Sequence, residues 1–125
     1  MRKTIRLFLL LEGVSFLIAA AIHSGLLTTI DRNQGATIAE STIGVVLLIG
    51  YGLSWLWPAQ TRIFGIVAQT FALLGTLIGV YVVLIGVGPN TIPDIIYHFA
   101  ILAVLVWGLV IAARAPTEAV SSALR

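Results

Sequence analysis

Four apolar stretches, over about residues 5–30, 36–57, 63–87 and 93–113, are separated by short connections rich in polar residues, glycine or proline. About 20 apolar residues in helical form cross the hydrocarbon of a bilayer, and runs of this length exceed the core helices of an ordinary soluble domain. A segment in hydrocarbon must satisfy its own backbone hydrogen bonds, which makes each stretch a helix. Connections of only a few residues make each helix antiparallel to the next. The predicted fold is all-α: an integral membrane four-helix bundle, up-down-up-down, in one domain spanning residues 1–125 with a short tail from residue 114.

Composition agrees with that reading. Charged residues make up 10% and apolar residues 59% of the chain, against the roughly 25% charged residues of a soluble domain. The absence of cysteine excludes disulfides, thiolate metal sites and cysteine nucleophiles. Six of the seven basic residues (Arg2, Lys3, Arg6, Arg62, Arg114 and Arg125) fall in the N-terminal tail, the second connection and the C-terminal tail, and only Arg32 lies elsewhere. The excess of Lys and Arg on one side marks the cytoplasmic face, so both termini are expected inside and the charge needs no nucleic-acid partner. Met1-Arg2-Lys3, an apolar run and Ala19-Ala20-Ala21 also fit the outline of a signal peptide. Glu12 interrupts that apolar region and hydrophobicity continues to Ile30, which favours a retained first span.

Within the spans the ionisable residues stand out, because a charge near the bilayer centre costs about 2.5–3.5 kcal/mol and is kept where it faces protein or a watery cavity. Glu12 and His23 are eleven positions apart, which returns them to nearly the same face of a helix turning about 100° per residue. The polar stretch Asp31-Arg32-Asn33-Gln34-Gly35 reads as an external turn. In the second span Glu40, Gly44, Leu47, Tyr51 and Ser54 share a face, and Trp55, Trp57 and Pro58 mark its inner end. The third span carries Gly75 and Gly79 in a GxxxG spacing, which predicts a close helix contact within the chain or between copies. Gln69 and Thr76 share a face of that span. Gly86, Gly88, Pro89 and Asn90 form the second external turn, Pro93 opens the fourth span, Asp94 sits in its first turn, and His98 follows at i+4. Trp107, deep in the same span, is read as a packing residue.

Counting from the helix ends puts His23 and His98 at one level, each on the order of 10 Å below the outer surface, with Glu40 and Asp94 in the same leaflet. These four residues are the candidate site. Glu12, Gln69 and Tyr51 are further buried polar groups, Glu12 and Gln69 being at comparable depth in the inner leaflet. Imidazoles and carboxylates suit a first-row divalent metal, and two level histidines suit axial ligation of haem b, so the leading expectation is a haem or metal pocket serving electron or ion handling. Other uses stay open. The cluster can specify helix packing alone, it can belong to a proton or small-solute path that Glu12 and Tyr51 extend, or it can meet a quinone or another chain in an accessory subunit or scaffold of a larger complex. Ser15, Ser24, Ser41 and Ser54 lack the strand-turn-helix context of a hydrolase nucleophile, so serine-hydrolase chemistry is not indicated. The expected surroundings are the lipid bilayer of a bacterial or archaeal cytoplasmic membrane, with a homo-oligomer or larger membrane complex as partner.

Overall fold

The computed structural model describes residues 1–29 and 32–117. Among them are four α-helices and no strand: α1 (Arg2–His23), α2 (Gln34–Leu56), α3 (Thr61–Leu84) and α4 (Ile92–Arg114), with one 3-10 turn, Pro58–Gln60, ahead of α3. All four are long and apolar enough to cross a membrane.

Contacts along α1 establish the order of the bundle. Its last residue, His23, meets Glu40 near the start of α2 and Asp94 near the start of α4. Near its first turn, Arg6 meets Ser54 at the end of α2, and Ile5 lies against Gly65 at the start of α3. So α1 and α3 run one way, α2 and α4 the other. The helices α1 and α2 approach most closely, because Gly13 and Gly44 face each other: a Cβ on either would lie 3.3 Å or less from the other's carbonyl oxygen. The association of α1 with α4 is looser.

The helix ends explain why α1 is shorter than its hydropathy suggests. At Gly25 the backbone turns left-handed (φ +85°), with Leu26 N–H donating to the Ala21 carbonyl and Gly25 N–H to that of Ile22. The same pair of bonds closes α3 at Gly86 (φ +76°), where Val87 N–H reaches Val82 and Gly86 N–H reaches Val83. Both are Schellman closures, in which glycine takes a conformation that costs other residues about 1 kcal/mol or more. Residues 24–29, expected in the first span, therefore lie beyond it, although Leu26 and Leu27 remain apolar. Asp31 of the expected external turn lies outside the described residues, as do residues 118–125 of the tail, and Gln34 and Gly35 already belong to α2. Asn33 caps α2 by accepting from Ala36 N–H at 2.9 Å, and Thr91 caps α4 ahead of Pro93.

Side chains are distributed against the habit of water-soluble bundles. Leucine, isoleucine, valine and aromatic side chains cover the outside of every helix, while Glu12, His23, Glu40, Ser54, Thr61, Gln69, Thr76 and Asp94 are buried. Trp107 is 62% exposed and joins the apolar exterior instead of packing inside. The inward stripe of α4 is taken by Ile101, Leu105, Gly108 and Ala112, which leaves Trp107 about 100° away from Gly108. An apolar core of Ile5, Leu9, Phe16, Ile43, Leu47, Ala72, Ile101 and Leu105 fills the space between the polar groups.

Basic residues gather at one end. Arg6 donates to the Ser54 hydroxyl at 3.1 Å and to its backbone carbonyl, and lies 4.0 Å above the Trp55 ring. Arg62 donates to the Ala113 carbonyl at 3.1 Å. Gly75 and Gly79 pack within the chain, against Ile43 of α2 and His98 of α4.

Candidate functional site

At the end opposite Arg6 and Arg62, three helices contribute one ionisable residue each to a buried chain of hydrogen bonds. Nδ1 of His23 lies 2.7 Å from Oε2 of Glu40, and its Nε2 lies 3.0 Å from Oδ1 of Asp94. The imidazole is 2% exposed, and both of its nitrogens face carboxylate oxygens. An ionised carboxylate can only accept, so the two bonds need two hydrogens shared among three groups. Either the ring carries both between two carboxylates, or a neutral ring carries one and a carboxylic acid the other. Interconversion moves protons along the bonds with no movement of heavy atoms.

Each member is positioned locally. His23 is the last residue of α1, and its carbonyl accepts from Asn33 N–H at 2.9 Å, so the same residue that caps α2 ties down the end of α1. Asp94 occupies the first turn of α4, where its other oxygen accepts from the Thr91 hydroxyl. Its backbone carbonyl accepts from Nδ1 of His98 at 2.7 Å. Because a carbonyl cannot donate, Nδ1 of His98 carries the hydrogen, and in the neutral ring Nε2 is left as an acceptor. Glu40 has Oε1 buried and without a hydrogen-bond partner.

Two separate cavities flank this chain. A cavity of about 320 Å³ between α2 and α3 is lined mainly by apolar groups, with Glu40 and His98 among its polar members. Asn33 and Thr76 also line it, but Oδ1 of Asn33 is held by Ala36 N–H and the Thr76 hydroxyl donates to the Ala72 carbonyl at 2.7 Å. A second cavity, of about 610 Å³ beside α1 and α4, is lined by Ser15, His23, Asp94 and Tyr97 together with Leu11 and Ile18. Glu40 thus borders one cavity, and His23 with Asp94 borders the other.

Further along α1, the Ser15 hydroxyl lies 3.2 Å from that of Tyr97, whose ring meets Phe16 and His98 edge-on at 6.2 Å and 5.9 Å. Beyond it Nε2 of Gln69 donates to Oε2 of Glu12 at 3.1 Å, with Oε1 of each left unpartnered. Space for this pair exists because residue 108 is glycine: a Cβ there would stand 2.4 Å from Nε2 of Gln69 and 2.9 Å from Oε1 of Glu12.

His23, Glu40 and Asp94 are therefore in direct contact, and His98 joins them through the Asp94 backbone. Glu12 and Gln69 pair with each other. Tyr51 stands apart, stacked edge-on against Trp55 at 6.3 Å near the basic end. The two histidines do not offer matched free nitrogens for bis-His haem ligation, since both nitrogens of His23 face carboxylate oxygens. No group of three or more His, Cys, Asp or Glu side chains able to hold a metal ion occurs among the described residues. Ser15, Thr91 and Tyr97 were not singled out by spacing. Thr91 ahead of Pro93 is a legible cap signal, whereas the Ser15–Tyr97 contact depends on how α1 and α4 are rotated against each other.

Comparison of the chain with protein-family models, curated proteins and solved structures gives no match.

Proposed function

We propose that this chain spans a membrane four times, with its basic end on the cytoplasmic side, and that it moves protons along the polar groups of α1. Four helices with apolar exteriors and buried ionisable residues support the membrane reading, and the clustering of Arg2, Lys3, Arg6, Arg62 and Arg114 at one end supports the orientation. One observation carries the proton reading: His23 is clamped between two buried carboxylates, each bordering a different cavity.

A proton that reaches Glu40 from the first cavity passes to Nδ1 of His23 as the hydrogen on Nε2 passes to Asp94. One proton enters and one leaves, and the imidazole is left as the other tautomer. A turn of the ring resets it for the next proton. On the Asp94 side, the second cavity is roomy enough for several waters at about 30 Å³ each. It leads along α1 to Ser15 and Tyr97, and Glu12 lies three residues further, about 4.5 Å along the axis. From Arg6 to His23 the polar line covers about 26 Å, close to the thickness of a hydrocarbon core of about 30 Å.

The test is proton flux into liposomes containing the purified chain, read by an entrapped pH dye under a potassium diffusion potential. Acidification should exceed that of empty liposomes, and His23→Phe and Glu12→Gln should each return it close to the empty rate. Wild-type flux equal to that of empty liposomes overturns the proposal.

A further inference from the structure

The cavity between α2 and α3 has one polar end, at Glu40 and His98. Glu40 is one of its lining residues, but its Oε2 faces His23 and its Oε1 is fully buried. Across the same cavity stands His98, whose Nε2 is the acceptor nitrogen of the neutral ring and lies 3.3 Å from where a Cβ on Gly79 would be. Glycine at position 79 keeps the space in front of that nitrogen open. The polar end therefore presents one open acceptor, Nε2 of His98, and what complements it is a donor.

The rest of the lining is apolar: Phe16, Ile43, Val82 and Val83 form its walls. Ile78 and Val87, which also line it, are 65% and 72% exposed on the apolar exterior, so the cavity opens to the side of the bundle. Its volume of about 320 Å³ is roughly twice the 150 Å³ of an apolar cavity that accepts benzene, which is room for two fused rings. Binding sites for small molecules share this make-up, apolar walls with a few convergent polar groups.

We infer that this cavity binds a small, lipid-soluble phenol, whose ring lies against Phe16 and Ile43 and whose hydroxyl donates to Nε2 of His98. The site rests on the membrane placement proposed above, because the ligand enters from the apolar side. It does not require that His23 transfer protons.

The probe is 1-naphthol, titrated against the full chain in lipid nanodiscs with empty nanodiscs subtracted, beside 1-methoxynaphthalene, which has the same rings and no donor. Naphthol should bind saturably, at least tenfold more tightly than the ether. His98→Phe, which keeps a ring and removes the acceptor nitrogen, should bring the two affinities together, and Gly79→Val should abolish both by filling the space before His98. Absence of saturable naphthol binding to the native chain overturns the site. Equal affinity of naphthol and ether for the native chain overturns recognition of the hydroxyl and is read without any variant. Neither result bears on proton flux, so failure here and failure of the proton reading remain distinct.

Discussion

Replacing Gly108 with alanine tests whether the pairing of Glu12 with Gln69 is as tightly built as its geometry indicates. The added methyl would sit 2.4 Å from Nε2 of Gln69, 2.8 Å from Cδ1 of Phe8 and 2.9 Å from Oε1 of Glu12, all closer than carbon tolerates. The amide of Gln69 is the end of a flexible side chain and can move, but it is fully buried and held at 3.1 Å by Glu12. Displacing it breaks a contact of a kind that averages about 0.6 kcal/mol between helices in membranes and reaches about 1.7. Moving Phe8 as well adds an overpacking cost of about 1–3 kcal/mol. Gly108→Ala should therefore destabilise the bundle by about 2–4 kcal/mol, measured as reversible unfolding in mixed micelles of increasing SDS content. A Gln69→Ala background removes the shortest clash and the hydrogen bond together. The cost of Gly108→Ala should fall there by about 1 kcal/mol, a coupling expected of residues in contact. An unchanged cost in both backgrounds, or a single variant within about 0.5 kcal/mol of wild type, would show that the Glu12 region is not packed as described.

Three further outcomes are expected. Gly25→Ala must hold alanine at φ +85°, so it should lower stability by about 1 kcal/mol or more in the same assay, while Gly52→Ala, with open space around its Cβ position, should not. His23→Phe leaves Glu40 and Asp94 buried without their shared partner and should cost about 3–5 kcal/mol; the triple replacement His23→Phe, Glu40→Leu, Asp94→Leu should recover much of it while proton flux stays at the empty-liposome rate. Tyr97→Phe removes only the hydroxyl that meets Ser15, so proton flux should fall with stability changed by about 1 kcal/mol or less.

Hydropathy alone was enough to locate the four helices, because spans of this length leave little choice of secondary structure. It was blind to their ends. The apolar run of the first span continues through Leu26, Leu27 and Ile30, and what stops α1 at His23 is the conformation of Gly25, a signal of one residue. Counting from the apolar run puts His23 on the order of 10 Å inside the helix, whereas it is the last residue of α1; it meets Glu40 and Asp94 because those residues lie in the first two turns of their own helices at the same end. Face counting brought Glu12 and Gln69 to a common depth, and they do pair. It could not show that one ring bridges two carboxylates, since the χ angles of His23 follow from packing among three helices. Nor could it separate Tyr51, which turns towards Trp55, from Tyr97, which turns inwards.

The tie between Asn33 and His23 has a consequence for assembly. By holding the end of α1 while capping α2, Asn33 lets the first hairpin bring imidazole and Glu40 together from only 17 residues apart, before the rest of the chain has arrived. Asp94 comes with the second hairpin, from 71 residues away. The first hairpin by itself therefore carries a ring nitrogen lacking its partner, and the second supplies it on docking, so the bond between His23 and Asp94 acts as a keyed joint that fixes how the two halves register.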